Sequence, residues 1–228
     1  MSPAQPACAW VDSGTRLLLK AVGTLTDEEL DAPVALPGWT RRHLLAHLAS
    51  NADALGNLLH WARTGIPTPM YASPTQRADD IQTGAQQPAG VLRRRLSDSA
   101  AALSALAAAL PTPAWDSPVV TAQGRTVPAS EVPWLRSREV YVHAVDLEAG
   151  VCFTDLPPEF SHTLLHEIAG KRSAQEGNPH IQIVTEGRTY RVSGTGPLRT
   201  ISLPLPEATA WMTGRLEAAD LPVMPPWL

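Results

Sequence analysis

Apolar residues recur at helical rather than alternating spacing up to about residue 150. The clearest stretch runs from Thr40 to Thr64, where leucines fall every three or four positions and Gly65 follows as a typical helix stop. A helix with one apolar face must pack against other helices. Three more helices are predicted, over residues 11–22, over residues 88–110, and from Pro128 or Pro133 to Glu148 with Gly150 as C-cap. The pattern predicts a four-helix bundle.

Segments rich in proline separate these helices and are predicted to be loops. The longest lies between the second and third helices and contains Pro67, Pro69 and Pro74. Another follows residue 110. Between the first two helices, Thr26 precedes Glu29 by three positions, a spacing that predicts a reciprocally capped turn.

The pattern changes after Gly150. A helix over residues 157–171 precedes the alternating run HIQIVTEGRTYRVSG, which predicts two strands joined by a tight turn at Glu186 and Gly187. A third strand is predicted over residues 198–203 and a last helix over residues 206–216. The predicted fold class is therefore α+β, with a helical domain over residues 1–151 and a small α+β domain over residues 152–228.

Composition narrows the possible functions. Cys8 and Cys152 are the two cysteines and form no C-x-x-C pair, so neither a disulfide framework nor a cysteine zinc site is expected. The net charge of -4 is spread over both predicted domains, which argues against nucleic-acid binding. The N-terminus has no basic segment followed by an apolar stretch, so a cytoplasmic protein without a membrane partner is expected.

Candidate metal ligands lie on the fourth predicted helix. In SREVYVHAVDLEAG, Glu139 and His143 are four residues apart, which places both side chains on one face, and Asp146 extends the polar stripe. Valines flank this stripe, and a metal would offset the cost of burying its charge. An ordinary intrahelical Glu–His pair at an accessible edge is the alternative.

Histidines on the second predicted helix can be separated on a helical wheel. His47 shares a face with the leucines and points inward, whereas His43 lies toward the polar side and His60 nearly opposite. A hydrogen-bonded core histidine is the alternative to a ligand. His162 and His166 are also four residues apart, but no carboxylate lies between them, and surface positions are predicted for both.

Four segments carry a resemblance to a known family: LPGWTRRHLLAHLASNADAL, MYASPTQRADDIQ, WLRSREVYVHAVDLEAG and WMTGRL. Together they resemble the mycothiol-dependent maleylpyruvate isomerases. The resemblance implies a DinB-like four-helix bundle, a small C-terminal domain similar to sterol carrier proteins, and a divalent metal, most simply zinc, held by His47, Glu139 and His143. It further implies mycothiol as the thiol cofactor and conversion of maleylpyruvate to fumarylpyruvate in gentisate breakdown.

Such a reaction proceeds by reversible thiol addition to the double bond, rotation about the resulting single bond, and expulsion of the thiolate. A metal would activate the thiol or polarise the oxygen of the enolate, and thiol activation is favoured because the cofactor thiol is external. A dicarboxylate substrate needs cationic partners, for which Arg77 and Arg215 are the candidates. Arg77 is also a candidate for cofactor binding. Each arginine could instead be a solvent-facing charge.

Two other functions remain open. A related mycothiol S-transferase or thiol-dependent detoxification enzyme would use the same metal site, and a non-catalytic metal-binding interaction module would keep the bundle alone. Two histidines and a carboxylate also suit nickel, cobalt or ferrous iron. A monomer is expected, because no heptad pattern indicates a dimer.

Overall fold

The structure, a computed structural model, describes residues 4–224. The contacts within it divide the chain into two compact units, Met1–Val151 and Cys152–Leu228. The first unit is helical apart from one short hairpin, and the second combines helices with a three-stranded sheet. The predicted α+β class is confirmed. Within residues 4–224, no helix is both long enough and apolar enough to span a bilayer.

Five helices form the first unit: α1 (Ala4–Thr24), α2 (Arg41–Thr64), α3 (Gln76–Ala85), α4 (Ala89–Ala108) and α5 (Val132–Asp146). α1 packs along α5, and α2 packs along α4. Several leucines on α2 are fully buried in the core of the bundle, among them Leu44, Leu48 and Leu58. The four long helices thus form the predicted bundle, with α2 and α5 also in contact.

Local capping signals fix both ends of α2. The backbone N–H of Thr40 donates to Nδ1 of His43 at 3.2 Å, which closes the first turn. At the other end Gly65 adopts a left-handed φ of 73°, and its N–H bonds the carbonyl of Trp61. The predicted start and stop are confirmed. The capped turn of Thr26 and Glu29 is present as well, with reciprocal hydrogen bonds of 2.7 and 3.2 Å.

The long predicted loop between the second and third helices is wrong in part, because it contains α3. This helix buries only Ile81 and Ala85, so its sequence carries little apolar periodicity. Its stability comes from packing on α2. Gly84 allows that close approach, since a Cβ at this position would lie 2.8 Å from the Cβ of Ala46.

Two further elements differ from their predictions. The loop after α4 contains a small antiparallel hairpin, β1 (Pro118–Val120) and β2 (Thr126–Pro128), whose three-residue strands are too short to show alternation. Helix α5 ends at Asp146 rather than Glu148, so Gly150 is not its C-cap. Glu148 adopts a left-handed φ of 52°, which ends the helix, and the guanidinium of Arg41 caps this end by donating to the carbonyls of Leu147 and Glu148 at 2.8 and 3.0 Å.

The second unit contains α6 (Pro158–Ser173), β3 (Pro179–Thr185), β4 (Arg188–Val192), β5 (Thr195–Ser202) and α7 (Leu205–Met212). Its sheet has the order β4-β3-β5, antiparallel between β3 and β4 and parallel between β3 and β5. The predicted hairpin is confirmed, because Glu186 and Gly187 both have positive φ, as a two-residue turn of type I′ requires.

Helix α7 is shorter than predicted and ends at Met212 instead of reaching residue 216. Gly214 adopts a φ of 76°, its N–H donates to Trp211, and the N–H of Arg215 donates to Ala210. These two bonds form a Schellman motif, which closes a helix at a left-handed glycine. Arg215 therefore follows the helix, with its backbone fixed.

Candidate metal centre

His47 on α2 and the pair Glu139 and His143 on α5 converge at the contact between the two helices. Each offers one ligand atom, and the three atoms lie within 4.8 Å of one another. Nε2 of His47 lies 2.9 Å from Oε2 of Glu139, and Nε2 of His143 lies 3.3 Å from the same oxygen. Two imidazoles thus face one carboxylate, as in a catalytic zinc site with three protein ligands.

His47 points into the bundle, as the helical wheel predicted, and only 3% of its surface is exposed. Its ring contacts the ring of Trp39 at a centroid distance of 5.4 Å and meets His143 edge to face at 5.1 Å. Its Nδ1 has no hydrogen-bond partner among the described residues. Packing alone, rather than a second hydrogen bond, therefore orients this imidazole.

His143 is oriented differently. Its Nδ1 lies 2.8 Å from Oδ2 of Asp146, a carboxylate that is itself buried. This contact directs Nε2 of His143 toward Glu139. Ligand histidines commonly hold their second nitrogen against a carboxylate in this way, which fixes the tautomer and raises the basicity of the ligand. The predicted extension of the polar stripe to Asp146 is confirmed by this contact.

The charges of the cluster depend on one another. Burial by itself would raise the pKa of Glu139, but hydrogen bonds from the two histidines hold that pKa well below its ordinary value. Burial likewise disfavours a charged His143, yet Asp146 and Glu139 raise its pKa to about 9. Burial lowers the pKa of His47. An ionised carboxylate therefore stabilises one protonated imidazole beside a neutral one, a charge that a divalent cation can replace.

Arg136 is a supporting residue that the sequence did not suggest. It lies one turn before Glu139 on α5 and is buried, with 1% of its surface exposed. Its Nη1 donates to the carbonyl of Leu48 and to Oδ1 of Asn51, both at 2.8 Å. Burial lowers the pKa of Arg136 to about 10, so it stays charged at neutral pH. It ties α5 to α2 beside the ligands. The sequence offered one signal for this role: Arg136 precedes Glu139 by three residues, which places it on the same face of the helix.

Arg77 lies on α3, although the segment between the second and third predicted helices, to which it belongs, was expected to be a loop. Its side chain is exposed, and its charge adds a minor contribution to the low pKa of His47 after the effect of burial. Burial raises the pKa of Tyr71, and Arg77 opposes that shift through its charge and a side-chain hydrogen bond. Arg77 and Tyr71 therefore lie together near the cluster. Tyr71 was missed because no helical pattern surrounds it.

Arg215 belongs to the second compact unit. Its side chain is partly buried, and its Nη1 donates to the carbonyl of Thr213 at 2.5 Å. This contact lies within the turn that closes α7, so the guanidinium is held close to the end of that helix.

The predicted surface position of His162 is wrong, whereas His166 is exposed as predicted. His162 is buried, its Nδ1 lies 2.7 Å from the hydroxyl of Tyr190, and its Nε2 lies 3.3 Å from Glu186. The helix pattern gave no sign that β4 would cover this side of α6. Within residues 4–224, the three-ligand cluster is the one formed by His47, Glu139 and His143.

Replacing Asp146 by asparagine is expected to lower the affinity for zinc by about 10–100-fold, because the amide cannot hold Nδ1 of His143 with a full charge. Zinc competition with a chromogenic chelator measures this change. Asp79→Asn on the exposed side of α3 is the control and should bind zinc as the wild type does. Equal affinity in all three proteins would contradict the orienting role of Asp146.

The chain is therefore a four-helix-bundle protein, in which two of the four long helices direct two imidazoles and a carboxylate toward one another as a candidate metal centre. Residues 11–148 match the family described as "Mycothiol maleylpyruvate isomerase N-terminal domain". The chain belongs to this family, and the resemblance noted in its sequence is confirmed. No match was found among curated proteins.

Solved structures agree with this assignment. A crystal structure of the mycothiol-dependent maleylpyruvate isomerase superposes with a TM-score of 0.93 and 36% identity, covering 99% of this chain and 98% of that one. A histidine-to-alanine mutant of that isomerase gives a TM-score of 0.93 and 35% identity over the same shares. YfiT from Bacillus subtilis, a probable metal-dependent hydrolase with an unusual four-helix bundle topology, gives 0.54 at 16% identity, covering 64% of this chain and 83% of that one. This last match shows the fold alone.

Proposed function

We propose that the protein is a mycothiol-dependent maleylpyruvate isomerase, which converts maleylpyruvate to fumarylpyruvate. The observation that carries the proposal is the match to the isomerase structure along almost the whole of both chains. The convergence of His47, Glu139 and His143 supports it, because this chemistry needs an activated thiol and the cluster is suited to a thiol-binding cation. The activity would belong to gentisate breakdown in the cytoplasm.

The donor set suits a divalent metal. Two imidazole nitrogens and one carboxylate oxygen are a common zinc ligand set, and the buried charge of Glu139 needs a cationic partner. We propose zinc, bound by His47, Glu139 and His143. Bound there, it would lower the pKa of the mycothiol thiol, which adds reversibly to the double bond of the substrate. The chain's own part is to hold the ligands, through Asp146 behind His143 and Arg136 between the two helices.

The two arginines would bind carboxylates. Maleylpyruvate carries two of them, and a guanidinium can bind a carboxylate through two parallel hydrogen bonds. Arg77 is supported by its position beside Tyr71 and His47, where it can hold either the substrate or the cofactor. Arg215 is supported by the family resemblance of WMTGRL and by a backbone that the Schellman motif fixes.

The absorbance of maleylpyruvate, followed with purified zinc-loaded protein, tests the function. Isomerisation is expected with mycothiol, and removal of the thiol or treatment with a chelator should stop it. An unrelated electrophile that conjugates mycothiol serves as the comparison for an S-transferase. Conjugation without isomerisation, or no thiol-dependent reaction at all, would contradict the proposal.

A further inference from the structure

A mostly apolar cleft of about 180 Å³ lies between α1, α4 and α5, with one residue of α2 completing its lining. Among the described residues, none of α3 and none of the three candidate metal ligands lines it, so this cleft is separate from the metal centre. An apolar cavity of about 150 Å³ can hold one benzene ring. The cleft therefore has room for one small apolar group. Its apolar side chains are Val11, Leu59, Leu103, Ala107, Val132 and Pro133.

Arg136 is the one cation among the residues that line the cleft. It is almost completely buried, and its Nε and Nη2 have no hydrogen-bond partner within residues 4–224. The charges of Glu139 and Asp53 raise the pKa of Arg136, but burial has the larger and opposite effect. A buried charged donor without a partner costs free energy. A ligand that supplies both acceptors and a negative charge would recover that cost.

The geometry of the guanidinium indicates which acceptor suits it. Its Nη1 is already used, because it donates to the carbonyl of Leu48 and to Oδ1 of Asn51. These two bonds to α2 fix the plane of the group. The free Nε and Nη2 form the edge on which two parallel N–H bonds meet the two oxygens of a carboxylate. A water molecule would accept one such bond but would bring no charge. A carboxylate therefore fits this edge better than water does.

We propose that the cleft binds a small monocarboxylic acid with an apolar body, of about the size of benzoate, whose carboxylate pairs with Nε and Nη2 of Arg136. The apolar body would lie against the valine, leucine and alanine side chains of the cleft. Asp12 is the one carboxylate in the lining, and it is exposed. Its charge disfavours a second negative charge on the ligand, so a monocarboxylate is favoured over a dicarboxylate. The proposal does not depend on the isomerase function.

Binding of 4-fluorobenzoate to the zinc-loaded full chain, followed by fluorine NMR, tests the proposal. We expect a Kd of about 1 mM or below. 4-Fluorobenzyl alcohol has nearly the same body without the charge, and it should bind at least about tenfold more weakly, because hydrogen bonds to a charged group are lost. Equal affinity for the acid and the alcohol would contradict the role of Arg136.

One pair of variants tests the space in the cleft. Ala107→Trp places a large side chain in the lining, whereas Ala105→Trp adds the same bulk at an exposed position of α4 that does not line it. Ala107→Trp should abolish binding of 4-fluorobenzoate, and Ala105→Trp should bind it as the wild type does. Circular dichroism and zinc affinity check that both variants fold. Equal binding by the two folded variants would overturn the proposal.

A second pair tests the charge without touching the core. Asp12→Asn removes the carboxylate of the lining and should tighten binding of 4-fluorobenzoate about two- to fivefold at low salt. Asp98→Asn is the control, since Asp98 is an exposed residue of α4 outside the lining, and it should leave the Kd unchanged. An unchanged Kd in Asp12→Asn would contradict binding of an anion beside Asp12.

A carboxylate could also bind zinc, and Glu139→Gln, which is expected to lose the metal, separates the two sites. Binding that survives in Glu139→Gln and disappears in Ala107→Trp supports the cleft. Binding that disappears in Glu139→Gln and survives in Ala107→Trp places the acid on the metal, and the proposal is then wrong. The absence of binding to the wild type at about 10 mM acid would overturn it as well. Each of these results leaves the isomerase assignment unchanged.

Discussion

Replacing Glu139 by glutamine is expected to lower the affinity for zinc on the order of a thousandfold and to abolish isomerisation. The amide keeps the size of the side chain but removes the negative charge that both histidines face at 2.9 and 3.3 Å. Zinc sites bind with roughly 10–16 kcal/mol spread over a few ligands, so the loss of one ligand costs several powers of ten. The zinc content of the purified protein and its competition with a chelator measure the effect.

Thermal unfolding gives a readout that does not depend on catalysis. A ligand present at a thousandfold excess over its Kd stabilises the folded state by about 4 kcal/mol. Zinc should therefore raise the midpoint of the wild type and of Glu131→Gln, the control at the start of α5, but not that of Glu139→Gln. Stabilisation of Glu139→Gln to the wild-type extent would contradict the proposed ligand set.

Local signals explain why much of the fold could be predicted. Thr40, Gly65 and the leucine spacing define α2 without reference to the rest of the chain, and Glu186 with Gly187 defines the hairpin in the same way. Helix α3 could not be found, because its stability comes from a close approach of Gly84 to α2. Local sequence patterns do not predict such a contact between two helices.

The candidate site shows the same difference between features that local sequence predicts and features that depend on contacts between distant segments. Periodicity predicted that Glu139 and His143 share one helix face and that His47 points inward. The prediction that all three bind one metal came from the family resemblance, and the structure brings their ligand atoms together. Arg136 was not predicted as a supporting residue, because the sequence around a buried helical arginine looks the same as that around an exposed one. Its burial is understood only from its hydrogen-bond acceptors on α2. His162 was misplaced for the complementary reason, because Tyr190, which covers it, is distant in sequence.

Replacing Arg215 by lysine is expected to lower kcat/KM for maleylpyruvate by about a hundredfold, with zinc affinity unchanged. Lysine keeps the charge but loses the planar fork that binds a carboxylate through two hydrogen bonds. The Schellman turn should survive, because its bonds come from the backbone N–H groups of Gly214 and Arg215. Steady-state kinetics at saturating mycothiol measure the change.

Arg199→Lys is the matched control, since Arg199 is an exposed arginine of the same unit that donates to the carbonyl of Asp220. It should keep wild-type kinetics. Glu139→Gln is expected to lose the metal and the activity together, whereas Arg215→Lys should lower the activity alone, so the pair distinguishes metal binding from substrate binding. Full kcat/KM in Arg215→Lys would contradict the proposed role of Arg215 and would leave Arg77 as the remaining candidate.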